Sequence, residues 1–151
     1  MKYLLQTRRR QSSLVSLDYT ANSTEGWSEA KVKYIAKDGG VSISNYNQIS
    51  VDLIYPESGN TVSKMKFFAD GIINKDTIID SSDAESLGNG YQKVKVTVQF
   101  SPKDTNLTDI TIGLIGVNSD FSGDVYLDDL ELSQKNDMDE FVRITSTVNE
   151  N

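Results

Sequence analysis

The stretch Tyr91-Gln92-Lys93-Val94-Lys95-Val96-Thr97-Val98-Gln99-Phe100 constrains the fold more than any other part of the chain. Val94, Val96, Val98 and Phe100 fall on one alternation, and Lys93, Lys95, Thr97 and Gln99 on the other. A two-residue period of this kind places apolar side chains on one face of a β-strand and polar ones on the opposite face. It does not suit a helix, whose period is 3.6 residues. A half-buried strand needs partners and a second layer to cover its apolar face, so the question becomes how many other strands the chain supplies.

It supplies enough for two sheets. Val15, Leu17 and Tyr19 alternate with Ser16 and Asp18, and strand-like runs follow at 30–35, 40–43, 48–55, 64–69, 77–80, 110–117 and 124–132. In the 48–55 run, Ile49, Val51, Leu53 and Tyr55 share one face. Turn chemistry separates the runs: Asp38-Gly39-Gly40, Pro56-Glu57-Ser58-Gly59-Asn60, Leu87-Gly88-Asn89-Gly90, Ser101-Pro102-Lys103-Asp104 and Phe121-Ser122-Gly123-Asp124. Short strands at this spacing predict an all-β, antiparallel two-sheet β-sandwich of jelly-roll type. The domain is expected over residues 14–133. Residues 1–13 form a flanking segment or a basic arm, and residues 134–151 a C-terminal tail with a candidate edge strand at 141–145. The opening Met1-Lys2-Tyr3-Leu4-Leu5 starts like an export leader, but Gln6-Thr7-Arg8-Arg9-Arg10 stands where its apolar region should continue.

Composition narrows the chemistry. Among 151 residues there is no cysteine and no histidine. Thiolate nucleophiles, Ser–His–Asp triads and histidine metal sites are therefore excluded. The formal charge of −7 disfavours nucleic acid and anionic membranes as partners. A glycosidase would need two carboxylates facing each other across a cleft. The acids cluster at turns instead (Asp80, Asp83, Glu85; Asp128, Asp129, Glu131), and no Glu-x-Asp-x-x-Glu strand pattern occurs. The expectation is a protein that binds rather than catalyses.

Two places stand out. Trp27, the single tryptophan, follows Asn22-Ser23-Thr24-Glu25-Gly26, a turn-rich context. It can be a core residue or an exposed platform, and exposed aromatic rings hold sugars by packing against the C–H face of a pyranose. Tyr46, Tyr55, Phe68, Tyr91 and Phe121 lie near predicted strand ends, where most aromatics are core. In Val125-Tyr126-Leu127-Asp128-Asp129-Leu130-Glu131-Leu132 the apolar phase slips at the two aspartates, which predicts a β-bulge. Asp128 can then ligate a hard cation such as Ca²⁺, or simply close a turn by hydrogen bonding.

The run Ile110-Thr111-Ile112-Gly113-Leu114-Ile115-Gly116, followed by Asp120-Phe121-Ser122-Gly123-Asp124-Val125-Tyr126-Leu127-Asp128-Asp129-Leu130-Glu131-Leu132, resembles the closing strands of family 27 carbohydrate-binding modules. Those are the mannan-binding modules of β-mannanases. The similarity extends in register through 48–56, 64–69, 90–100 and the segment opening at Trp27, and covers about residues 14–133. It implies a jelly roll that binds β-1,4-mannan or a related plant β-glycan. It further implies a secreted or cell-surface location and attachment to a glycoside hydrolase. By the same resemblance Trp27 is the sugar-stacking ring, and Lys64 and Lys66 donate to sugar hydroxyls. Phe68 joins them on the same run, and Asp128 helps hold a structural Ca²⁺. The chain departs from the family pattern twice. Asp70-Gly71-Ile72-Ile73-Asn74-Lys75 stands where a second stacking tryptophan belongs, and residues 1–13 do not resemble the family's first strand. The alternative is a spacer or adhesion domain with no glycan site, which would have Trp27 in the core.

Overall fold

The structure is a computed structural model that describes residues 9–11, 14–36, 39–57 and 62–134. Twelve strands account for most of them: β1 (Arg9–Gln11), β2 (Val15–Ala21), β3 (Trp27–Ile35), β4 (Val41–Ser42), β5 (Gln48–Pro56), β6 (Lys64–Ala69), β7 (Ile73–Ile78), β8 (Glu85–Ser86), β9 (Tyr91–Gln99), β10 (Asn106–Leu107), β11 (Asp109–Val117) and β12 (Phe121–Ser133). Two single 3-10 turns, Ser23–Glu25 and Ser81–Asp83, are the helical content among the described residues.

The strands form two antiparallel sheets packed face to face as a jelly-roll sandwich. The first, sheet A, runs β1-β12-β5-β9-β8, with β2 beside the first half of β12 on the flank that β1 occupies further along. The second, sheet B, runs β3-β11-β6-β7. A ribbon of β4 and β10 completes the set. The alternations read from sequence set the inner faces. Ile49, Val51 and Leu53 of β5 stand opposite Val98, Val96 and Val94 of β9, and all six are buried. Phe100 and Tyr55 are buried with them. From sheet B come Met65, Phe67, Ile110, Ile112 and Leu114, each with essentially no exposed surface. Fully burying such a side chain contributes about 1.5–3 kcal/mol, and this non-directional term holds the two sheets together. Gly116 permits a close approach between them: a Cβ there would stand 2.6 Å from the Tyr19 hydroxyl and 2.8 Å from the Ala21 Cβ.

Four strands differ from expectation at their ends. The run expected at 124–132 begins at Phe121, because the Phe121–Asp124 stretch expected as a turn pairs with β2 instead. The run predicted at 30–35 begins at Trp27. The run at 40–43 is only Val41–Ser42. The run at 77–80 is instead Ile73–Ile78, because a tight turn returns the chain early. There Ile72 N–H donates to Ala69 O at 2.9 Å, and Gly71 takes the positive φ of 75° that glycine adopts without strain. Arg9–Gln11, within the segment expected to flank the domain, pairs with Leu130–Leu132 of β12. The opening at Met1–Leu5 and the candidate strand at 141–145 lie outside the described residues.

Candidate functional site

The turn that delivers Trp27 is pinned on three sides. The Asn22 side chain accepts the Thr24 N–H (2.9 Å) and the Thr24 hydroxyl (2.7 Å), capping the 3-10 turn. Ser23 donates its N–H and its hydroxyl to the two oxygens of Asp120, at 2.9 and 2.7 Å. These bonds, the backbone one first, favour the charged carboxylate and hold Asp120 below its ordinary value of 3.8. Gly26 ends the turn at φ 75°, and its carbonyl accepts the Asn118 N–H at 3.0 Å. The short loop between β11 and β12 thus anchors the residue just before Trp27.

Register then places Trp27 on the outer face of sheet B. Its neighbour on β11 is Val117, and the same outward alternation carries Glu29, Lys31, Lys33 and Ile35 along β3. Across β11, Ile115 lies opposite Lys64, Gly113 opposite Lys66 and Thr111 opposite Phe68. On β7, Ile78, Asp76 and Asn74 continue the rows of Lys64, Lys66 and Phe68. The four candidate residues, Trp27, Lys64, Lys66 and Phe68, therefore share one face although nearly forty positions separate the first from the others. Trp27 is 49% exposed and Phe68 38% exposed. The Lys64 ammonium sits 5.2 Å from the Trp27 ring centroid, and the Lys66 ammonium 5.9 Å from that of Phe68. Each ring thus carries a cation near its electron-rich face, worth about 0.5–1 kcal/mol at an exposed site. Between Lys31 and Lys66 the sheet has no side chain, because Gly113 stands there, and the Glu29 carboxylate leans over it. The face combines ring planes, ammonium donors and a carboxylate acceptor over a shallow floor. Those groups suit a ligand that is hydroxylated on its edges and apolar on its faces.

Sequence reasoning had missed Glu29, Lys31, Lys33, Asn74 and Asp76 on this face. The period-2 pattern of 27–35 held the signal for β3, since Ala30, Val32 and Tyr34 alternate with them. The β7 residues gave none, because their strand was expected later.

The bulge expected at Asp128 and Asp129 is present. Asp128 pairs with Asp52 and Glu131 with Ser50, leaving Asp129 and Leu130 opposite Val51 alone. Asp129 takes φ 58°, and its N–H donates to Asp128 Oδ1 at 2.9 Å. Nearby, the buried Tyr34 hydroxyl has no hydrogen-bond partner among the described residues. Burial, and secondarily the charge of Asp128, push it up to about 12. Beside the bulge, the outer face of sheet A holds an open crevice of about 480 Å³ lined by Asp52, Asp83, Glu85, Asp129 and Glu131 with Lys93 and Lys95. Among the described residues no three carboxylates come close enough together to hold a metal ion. Asp128 can therefore supply one ligand to a Ca²⁺, and the described residues do not gather the rest of its shell beside it.

No protein-family model matches the sequence, and no curated protein matches it. Solved structures do match. A family 27 carbohydrate-binding module from Caldicellulosiruptor saccharolyticus, in complex with mannohexaose, superposes with TM-score 0.60 at 16% identity, covering 82% of this chain and 75% of that one. A family 28 module specific for non-crystalline cellulose gives 0.61 at 16% identity, covering 89% of this chain and 88% of the other. A second family 27 module, studied for specific mannan recognition, gives 0.55 at 14%, covering 82% and 74%. The fold is that of these carbohydrate-binding modules. The resemblance carried by the 110–132 run therefore agrees with the backbone of the whole domain. At such identities the shared property is the jelly roll, and the side chains on its outer faces are this chain's own.

Proposed function

We propose that this chain is a non-catalytic polysaccharide-binding module whose glycan lies across the outer face of sheet B. One observation carries the proposal. The single tryptophan stands half-exposed on that face, with Lys64 over its ring and Lys66 beside Phe68, instead of filling the core. The sandwich neighbours that bind mannohexaose and cellulose support a β-linked plant polysaccharide, and the resemblance at 110–132 favours β-1,4-mannan among them. Trp27 would stack on a pyranose, while Lys64 and Lys66 donate to ring hydroxyls at its edge. In the parent protein, outside the cell, the module would keep an attached glycoside hydrolase near insoluble substrate, raising the effective concentration without new chemistry. Calcium enters this proposal as a stabiliser remote from the glycan, with Asp128 as one ligand. Chelation with EDTA would then lower the melting temperature and leave mannohexaose affinity unchanged. The deciding experiment is affinity electrophoresis against galactomannan, glucomannan, xylan and cellulose, with a reducing-sugar assay on each. Retardation by mannans with no sugar released is expected. No retardation by any of the four would remove the proposal.

A further inference from the structure

Far from Trp27, at the opposite edge of sheet B, β7 lies beside β9 of sheet A. Because β8 pairs with β9 only at Gln92 and Lys93, the C-terminal half of β9 has no strand on that side among the described residues. A crevice of about 430 Å³ opens there, lined by Ile72, Lys75, Gln99, Phe100, Ser101 and Lys103. Ile72 and the largely buried Phe100 are its apolar lining residues, and the rest of the lining is polar. The Lys103 ammonium donates to Gly71 O at 2.6 Å, which ties the loop after β9 to the β6–β7 turn and fixes one cation at the rim. Among the described residues no carboxylate lines this crevice, in a chain with 22 acidic and 15 basic residues. The crevice on sheet A is the reverse, with five carboxylates and two lysines.

Two ammonium groups, a carboxamide and a hydroxyl beside Ile72 make a site rich in donors with one class of acceptor missing. Charge-assisted bonds from the lysines suit a carboxylate, the carboxamide and hydroxyl suit sugar hydroxyls, and Ile72 offers a small apolar contact for a ring C–H. We propose that this crevice binds a uronate residue of an acidic glycan, as a second site separate from the Trp27 face. That the ligand is a sugar rests on the module reading above, whereas the preference for a carboxylate rests on the crevice alone.

Amide NMR spectra of the full chain, titrated with trigalacturonate, mannohexaose or acetate, test this. Trigalacturonate should shift the amides of Gln99, Ser101, Lys103 and Lys75, and added salt should weaken the effect. Lys75→Glu should raise its dissociation constant at least tenfold, and Trp27→Ala should leave it unchanged. Lys103→Glu also breaks the bond to Gly71, so the exposed Lys75 is the decisive position. The proposal is overturned if those amides do not move, if Lys75→Glu binds normally, or if mannohexaose or acetate moves them equally. It is also overturned if trigalacturonate shifts only the Trp27 face. Mannohexaose failing to bind anywhere, with trigalacturonate still in the crevice, would sink the mannan reading and leave this one standing.

Discussion

The outer faces of the two sheets are built from the same alternation and carry different contents. On sheet A the outward positions pair their own groups: half-buried Tyr91 and Tyr126 pack with ring centroids 5.9 Å apart beside Ile54, and charges meet charges. Asp52 of β5 stands directly opposite Lys95 of β9, and their side chains meet at 3.5 Å. On sheet B the outward positions hold Trp27, Ile35, Phe68 and Ile78, four of the six large exposed apolar side chains among the described residues. Single exposed apolar residues are ordinary, but a concentration of them on one face marks a surface kept for something outside the fold. The inner faces of both sheets are equally apolar, so core formation does not account for the difference. Sheet A closes much of its outer face on itself, through the Asp52–Lys95 ion pair and the Tyr91–Tyr126 ring pair, while sheet B leaves rings and donors open.

The strongest test of that contrast is Trp27→Ala. It should weaken mannohexaose binding by about 2–4 kcal/mol, the range of a truncated binding hot spot, with an unchanged melting curve. Titration calorimetry beside thermal unfolding separates the outcomes. A collapse in melting temperature would make Trp27 structural and erase the difference between the faces.

Gly116→Ala probes what the two faces share. The added methyl would press on Tyr19 and Ala21, where β11 of sheet B meets β2 of sheet A. It should cost about 1–3 kcal/mol of stability, as overpacking does, measured by urea unfolding. Unaltered stability would mean that the sheets yield there, and the rigid support assumed for both faces would be lost.

Matched lysine substitutions sharpen the comparison further. Lys64→Ala should weaken mannohexaose binding by about 1–3 kcal/mol, the cost of a lost hydrogen-bond partner, and shift the emission of the single tryptophan. Lys95→Ala, on sheet A, should leave affinity untouched and cost under about 1 kcal/mol of stability, since the lysine end of that pair is half exposed. Equal effects on affinity would show that the faces are not distinguished by ligand binding.

The contrast was only partly legible in the sequence. Strand faces were readable wherever alternation was clean: Ile49, Val51 and Leu53, and Val94, Val96 and Val98, are buried as their period predicts. The bulge at Asp129 was readable because a two-residue period cannot change phase without an extra residue. What no local pattern contains is which strands become neighbours. Lys64 reaches Trp27 because β11, late in the chain, inserts between β3 and β6. The early return at Gly71, which brings Asn74, Asp76 and Ile78 to the same face, depends on a single-glycine turn that the apolar pattern around 77–80 does not reveal.

The smallest effect concerns acid, and it again sets one side of the molecule against the other. Asp120 grips Ser23 and so holds the turn before Trp27; Asp80 grips Ser82 in the same way, in the 3-10 turn that adjoins the sheet A crevice. Both carboxylates are held below the ordinary 3.8 by those hydrogen bonds. A depressed folded-state value means that the charged form is favoured by the fold. The stabilisation is therefore complete above the ordinary carboxylate range and is lost as pH falls through the depressed value. As pH falls below 3.8 and through that depressed value, the turn at Ser23 should loosen, Trp27 should lose its fixed approach to Lys64, and its emission should shift before global unfolding. Asp120→Ala should produce that shifted emission already at neutral pH, with a modest loss of mannohexaose affinity. Asp80→Ala should change neither, because the turn it holds serves no part of the Trp27 face. An identical response in the two variants would show that the turn before Trp27 has no special hold on the ring, and that its orientation is set by the sheet beneath it.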